Sequence, residues 1–257
     1  MILAIDVGNT NIVLGGIEGE KLAFSARLAS DRKKTADQYA LDIQGVLTLY
    51  GVRGEQIQGA ILSSVVPYLQ SVIPDAVYRL VGKRPLVVGP GMKTGLSIRM
   101  DNPASVGSDL IVAAVAAKAK YPAPIAIVDM GTATTLSVIE KNGSYVGGMI
   151  IPGLWTGLNA LSAQAAQLPY IDLNGPAKLL GTNTVDCMRS GALLGTAAML
   201  DGLLDRLEEE LGQPVTPIIT GGVSPLVAPY CRHGFHQEPD ILIAGLKILY
   251  EKNAIKE

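Results

Sequence analysis

Two short segments place carboxylates where phosphate chemistry needs them. The first is Asp6-Val7-Gly8-Asn9-Thr10-Asn11, and the second is Asp129-Met130-Gly131-Thr132-Ala133-Thr134. Each follows an apolar run and precedes another, so each reads as a turn between two strands. Gly8 and Gly131 remove the side chain where a backbone must turn and approach a ligand. Asn9, Thr10 and Asn11 add short donors beside exposed N–H groups, and such a turn wraps phosphate oxygens. Asp6, at a strand end, is a hard oxygen donor that could hold Mg2+ directly or through water. One copy alone would read rather as a type I′ hairpin with Asn and Gly. Two copies, 123 residues apart, favour a pair of turns that grip a polyphosphate.

Three other segments carry side chains of interest. Asp109 opens the apolar helical run from Leu110 to Ala117. A carboxylate there lies near a helix N-terminus and reads either as a cap or as a general base in phosphoryl transfer. Thr220-Gly221-Gly222 follows a strand, and two Gly there let a flat ligand such as adenine lie against the backbone. Cys231, His233 and His236 offer three metal ligands within six residues, but no second ligand pair exists elsewhere; the segment reads as a surface loop. Cys187 sits on an apparent helix beside apolar neighbours and reads as packing. Both His fall in one loop, so no Ser-His-Asp set is suggested.

Competing phosphate motifs fail on context. No G-x-x-x-x-G-K-[ST] occurs. Gly89-Pro90-Gly91-Met92-Lys93-Thr94-Gly95 has dinucleotide-like spacing, but Leu96 to Met100 alternates like a strand where that motif needs a helix.

The elements that must position these residues follow a repeated order. In the first half, 2–6, 11–17 and 22–28 read as strands. A helix over 35–50 follows, with Thr35 as N-cap and Tyr39, Ile43, Val46 and Leu47 at helical spacing. A strand over 59–65, a helix over 67–81 and a strand over 85–88 come next. An Ala/Val-rich helix over 105–120 closes this half. In the second half, 125–129, 134–140 and 144–150 read as strands and 154–166 and 184–211 as helices. A strand over 217–220 and a helix over 239–253 end the chain. The expectation is an α/β protein of mixed sheets with helices on both faces, in two tandem domains, 1–118 and 119–257.

Composition excludes several classes. Of 257 residues, 48% are hydrophobic and 17% charged, which is too apolar for a disordered chain. The formal net charge of -2 gives no footprint for nucleic-acid binding. Two Cys cannot build a disulfide framework, so a reduced, cytoplasmic setting is expected. Asp6 interrupts any signal-peptide core. The uncharged stretch 144–171 holds too many Gly, Pro and amide residues for a membrane span and reads as a buried strand, a loop and a buried helix.

Across essentially its whole length the sequence resembles type III pantothenate kinases, which catalyse the first step of coenzyme A biosynthesis. The resemblance rests on Asp6 to Asn11, Ser63-Ser64-Val65-Val66-Pro67, Pro85 to Gly91, Lys93-Thr94-Gly95-Leu96, Asp101-Asn102-Pro103 and Gly107-Ser108-Asp109. It continues through Asp129 to Thr135, Gly147-Gly148, Pro152-Gly153, Gly181-Thr182-Asn183-Thr184 and Thr220-Gly221-Gly222. It implies the acetate and sugar kinase, heat-shock ATPase and actin fold, built from two ribonuclease-H-like domains. It implies that Asp6, Val7, Gly8, Asn9, Thr10, Asn11, Ile12, Val13 and Thr132 bind ATP phosphates, with Mg2+, and that Asp109 accepts the proton of the pantothenate hydroxyl. Met100, Gly107, Ser108, Asp109 and Leu110 match positions lining the pantothenate pocket. Asp129 matches a site for a monovalent cation, K+ or NH4+. Thr184 matches a residue that reaches the pocket of the other subunit, which implies a homodimer.

Two positions depart from the family pattern. Leu110 stands where the family usually reads Arg, and Met100 where it often reads Tyr. Both fall in the acceptor pocket, and neither touches the ATP turns. The departures leave two other readings open: a nucleotide-sensing paralogue that has lost catalysis, or a kinase of another small hydroxy compound.

Overall fold

The structure is a computed structural model that describes residues 1–175 and 178–254. The chain divides into two compact units. One comprises Met1–Leu96, Asp101–Ala116 and Asp240–Glu257; the other comprises Ser97–Met100 and Ala117–Pro239.

The first unit is built on a five-stranded sheet in the order β3-β2-β1-β4-β5. These strands are β1 (Ile2–Val7), β2 (Asn11–Glu18), β3 (Lys21–Ala29), β4 (Gly59–Ser64) and β5 (Leu86–Val87). β1, β2 and β3 form an antiparallel meander, and β4 and β5 run parallel to β1. Leu3, Ile5 and Val7 of β1 face one side of the sheet, since strand side chains alternate. There they join a core with Tyr39 and Ile43 of α1 (Ala36–Leu49) and Leu69 and Ile73 of α2 (Leu69–Val81). α1 starts where the sequence placed it: the Thr35 side chain accepts from Gln38 N–H, and the Gln38 side chain answers at the Thr35 N–H.

Small residues admit helices to the unit's other packing surfaces. A Cβ on Gly15 would lie 2.6 Å from Ile243 Cγ2, and one on Gly59 would overlap the Tyr250 ring; both partners lie on α8 (Ile241–Asn253). Gly245 of α8 lies equally close to Val112 of α3 (Ser108–Lys120). This packing groups the last helix with the first unit. The division therefore differs from the tandem order 1–118 and 119–257 expected from the repeat, because α8 returns to the first sheet.

The second unit repeats the topology. Its sheet order is β11-β10-β7-β8-β9-β6. The strands are β6 (Ser97–Ile98), β7 (Ile125–Met130), β8 (Ala133–Ile139), β9 (Ser144–Pro152), β10 (Thr216–Thr220) and β11 (His236–Gln237). Again a meander, β7-β8-β9, is followed by strands parallel to its first member. Leu96 to Met100 indeed enters a strand, β6, rather than a dinucleotide-type helix. α4 (Leu154–Gln164), α5 (Thr184–Ser190), α6 (Thr196–Leu211) and the single turn α7 (Ser224–Val227) complete the unit. Met188, Leu193, Leu200 and Leu204 pack with Val128, Met130 and Ile219 of the sheet.

Two expectations need correction here. The single helix expected over 184–211 is interrupted by a π-helical turn, Gly191–Gly195, bounded by two Gly whose backbone entropy weakens a regular helix. The segment 144–171 is not buried throughout. Met149 and Ile150 (79% exposed) of β9, and Trp155 and Leu161 of α4, reach solvent.

Candidate functional site

The first turn is braced from outside. Gly8 N–H donates to Asn11 O at 2.9 Å, closing the hairpin. Ser30, just past β3, donates its hydroxyl to Gly8 O at 2.6 Å and its N–H to Thr10 O at 2.9 Å. Arg32 Nη2 donates to Asn9 Oδ1 at 3.1 Å. Among the described residues no non-glycine has a positive φ, so the type I′ alternative is ruled out. Asn9, Thr10 and Asn11 are exposed, whereas Val7 and Ile12 are buried in the core. Any phosphate contact from Val7 or Ile12 must come from the backbone. Asp6 is buried at the end of β1, on the face opposite Ile5 and Val7.

The start of α3 docks beside that carboxylate. Asp6 and Ser63 are register partners on the parallel strands β1 and β4, so their side chains share a face. Ser63 Oγ donates to Ser108 Oγ at 3.0 Å, and Ser108 Oγ donates to Ser64 O at 3.2 Å. Ser108 is the first helical residue and Asp109 the second. Asp109 therefore sits inside the first turn rather than at the cap. Its Oδ1 accepts the Leu110 N–H at 2.8 Å. Burial raises the Asp109 pKa above the ordinary carboxylate value, opposed by hydrogen bonds from the backbone of Leu110 and of Asp109 itself. Gly107 makes room for this arrangement: a Cβ there would lie 2.5 Å from Asp109 Oδ1 and 3.7 Å from Leu110 Cγ. The first unit thus gathers Asp6, the turn from Gly8 to Asn11, and Gly107 to Leu110 at one end of its sheet.

The second unit builds a corresponding end. The turn after β7 is one residue shorter than the first. Asp129 pairs with Thr135, where Asp6 pairs with Val13, and Gly131 N–H donates to Ala133 O at 3.0 Å. Gly131 and Thr132 are exposed. Gly153, the N-cap of α4, packs on the carbonyls of Gly131 and Thr132, and Thr156 donates its hydroxyl to Thr132 O at 2.8 Å. Thr220 pairs with Asp129, which brings Gly221 and Gly222 to the same strand end. Gly221 has φ +92°, and a Cβ there would lie 2.6 Å from Asp129 Oδ1. Only glycine leaves the space in which that carboxylate sits. In the fold repeat Ser63 is the counterpart of Thr220, since each pairs with the Asp of its own unit.

The other expected residues lie elsewhere in this unit. Met100 follows β6, and a Cβ on Gly147 of β9 would touch its sulfur at 3.6 Å. Thr184 is exposed at the first position of α5, where Asn183 caps by accepting the Asp186 N–H at 2.9 Å. Cys187 is exposed rather than packed. Among the described residues no group of three His, Cys, Asp or Glu is placed to hold a metal. His233 Nε2 pairs with Asp205 at 2.8 Å, while His236 tilts against the Tyr121 ring. The loop is fixed by buried Asp201, which accepts the N–H groups of Arg232 and His233 at 2.9 and 3.1 Å. Burial, with Asp201 nearby, raises the Cys231 thiol to about 11.

The sequence reading overlooked the placement of Ser63. Its signal was two hydroxyls ending an otherwise apolar strand beside the strand that carries Asp6.

Comparison with known proteins agrees with this geometry. The family model for type III pantothenate kinase matches residues 2–206. The type III pantothenate kinase of Moorella thermoacetica is 44% identical over 253 residues, covering 98% of this chain and 100% of its own. That of Geobacillus thermodenitrificans is 41% identical over 257 residues, covering 100% of both chains. Among solved structures, component A of (R)-2-hydroxyglutaryl-CoA dehydratase from Acidaminococcus fermentans aligns with a TM-score of 0.58 at 15% identity. It covers 95% of this chain and 94% of that one, a likeness of fold alone. The two sheets have the doubled ribonuclease-H-like form of the acetate and sugar kinase, heat-shock ATPase and actin group. Matching over nearly its full length, the chain belongs to the type III pantothenate kinase family.

Proposed function

We propose that this protein transfers the γ-phosphoryl group of ATP to the primary hydroxyl of pantothenate, giving 4′-phosphopantothenate and ADP. The observation that carries the reading is the placement of Asp109. It is a partly buried carboxylate in the first turn of α3, docked through Ser108 and Ser63 beside the strand that carries Asp6. Asp109 takes the hydroxyl proton as the substrate oxygen forms its bond to the γ-phosphorus. The bond from that phosphorus to the bridging oxygen breaks, and ADP leaves. A base with a raised pKa is better matched to a neutral working pH than an ordinary carboxylate. The remaining catalysis is positioning and charge stabilisation, as a loose transition state requires.

Asn9, Thr10, Asn11 and the backbone of Gly8 contact phosphate oxygens in the first unit, and Thr132 does so in the second. Gly221 and Gly222 form the adenosine side. Asp6 is the oxygen donor suited to Mg2+, which when bound neutralises charge on the phosphates. Asp129 is the ligand for a monovalent cation, K+ or NH4+; its carboxylate lies in the gap left by the missing Gly221 side chain. Gly107, Leu110 and the backbone of Ser108 line the acceptor pocket, and Met100 matches a further position of it; the Ser108 hydroxyl is turned to Ser64 O.

The working form is a cytoplasmic homodimer in which Thr184 reaches the partner's pocket. Support comes from the exposed apolar side chains of Ile150, Trp155, Leu161 and Leu180, and from two free thiols. Among the described residues no helix is long and apolar enough to cross a membrane.

A coupled assay of ADP release with purified protein, Mg2+-ATP, K+ and pantothenate tests the reading. Pantothenate-dependent turnover that is lost in Asp109→Asn is expected. ADP release that does not depend on pantothenate would overturn it.

A further inference from the structure

We infer that the Ser63 and Ser108 hydroxyls are positioning groups that fix Asp109 relative to Asp6, an inference that rests on the reading of Asp109 as the base. Every residue of β4 is buried, and Ser63 is fully so. A hydroxyl in such a strand is costly unless it is bonded, and an apolar residue of the same size would otherwise serve better. Its partner is the first residue of α3. The hydrogen bonds run in one direction: Ser63 O–H to Ser108 Oγ, then Ser108 O–H to Ser64 C=O. The acceptor carbonyl is itself held, since Gln70 Nε2 donates to Ser64 O at 3.2 Å. The end of β4 is further stiffened by Ser64 Oγ, which bonds both the O and the N–H of Val66 at 3.2 Å.

These bonds pin α3 at the residue next to Asp109. The rest of its first turn is closed by Ile111 N–H on Gly107 O at 3.2 Å and by the Asp109 carboxylate on the Leu110 N–H. Those contacts are local to the helix. The serine pair ties its start to the strand whose register places Asp6. Without it, α3 would keep its turn geometry but lose its anchor beneath the carboxylate. The Ser108 hydroxyl therefore points into the fold and spends its proton on Ser64, which makes it a poor donor to an acceptor substrate. Misplacement by about 1 Å of a group that moves a proton costs on the order of 100-fold in rate.

The test measures kcat, both KM values and thermal melting for Ser63→Ala, Ser108→Ala, the double variant, Ser108→Thr and Asp109→Asn. Each single alanine variant should lower kcat by about 10- to 100-fold, with both KM values within about twofold. The double variant should be no worse than the weaker single one, because both break one relay. Ser108→Thr, which keeps the hydroxyl, should retain most of the rate. Unchanged kcat in Ser108→Ala alongside an inactive Asp109→Asn would overturn the positioning role and leave the base intact. A raised pantothenate KM with kcat unchanged in Ser108→Ala would also overturn it, since that marks a substrate contact. Full activity in Asp109→Asn would overturn the base itself. If Ser63→Ala does not fold, Ser108→Ala, on a partly exposed residue, decides.

Discussion

Replacing Gly221 by Ala tests the second strand end in both stability and function. Gly221 has φ +92°, and an added Cβ would lie 2.5 Å from both N and O of Met130 and 2.6 Å from Asp129 Oδ1. Two costs add. A left-handed conformation at an L-residue costs about 1–2 kcal/mol. Forcing a methyl into a filled space costs about 1–3 kcal/mol. The backbone of β7 cannot swing aside as a long side chain can, so the sum of about 2–5 kcal/mol should appear largely undiminished. For a protein of this size that is a fall in Tm of roughly 4–20 °C. Whatever strain is relieved must move Asp129 and Met130, and with them the turn at Gly131 and Thr132. For the cation and phosphate sites proposed at Asp129 and Thr132, the half-saturating K+ concentration and the KM for ATP should therefore both rise. Calorimetry and the ADP-release assay measure the two effects. Gly202→Ala is the control, because it lies within α6 and its added Cβ meets nothing within 4 Å. There the change should raise stability by about 0.5–1 kcal/mol through helix propensity. A Gly221→Ala protein whose Tm and KM for ATP match the wild type would refute the claim that this glycine shapes the Asp129 site.

The acid limb of the pH–kcat/KM profile should lie above the ordinary carboxylate range, because burial raises the Asp109 pKa and the proposed base must be ionised. The same shift has a sign for stability. The folded pKa is raised, so the group's favourable contribution is complete below the unfolded carboxylate pKa and is lost as pH rises through the folded one. Asp109→Asn should thus melt higher than wild type at neutral pH, with the difference closing in acid, while its turnover collapses. Leu110→Arg should lower the Asp109 pKa by setting a cation beside it, and the acid limb read from a pH–rate series should move down. Asp201→Ala should cost about 2–4 kcal/mol in denaturant melts, because two N–H groups of the loop, at Arg232 and His233, lose a buried carboxylate. Faster amide exchange at those two residues would accompany it.

Much of the fold was legible because its signals are local. The strands around both Asp-x-Gly turns and the Thr35 cap rest on residues within one or two turns of one another. The repeat of 123 residues matches the meander that opens each sheet, although the second sheet adds β6 at its edge. Three features were not legible. The return of α8 to the first sheet depends on gaps at Gly15 and Gly59 that meet Ile243 and Tyr250, residues some 190 to 230 positions away. The π-turn at Gly191–Gly195 lies inside a pattern whose periodicity reads as one helix. The apolar run after Ser144 could not reveal that much of it stays uncovered, because exposure depends on what the fold packs over each face.

The candidate site divides in the same way. Sequence by itself identified Asp6, Asp109 and Asp129 as carboxylates in telling positions, and their motifs named the family, because residue type and spacing are carried along the chain. Whether Asp109 was a cap or an interior residue of its helix was undecided until the first turn of α3 was seen. Its raised pKa comes from desolvation, which no residue spacing encodes. The approach of Ser63 to Ser108, and of Gly221 to Asp129, was decided by tertiary structure alone. Parallel strands bring together residues far apart in sequence, and only the register says which side chains share a face.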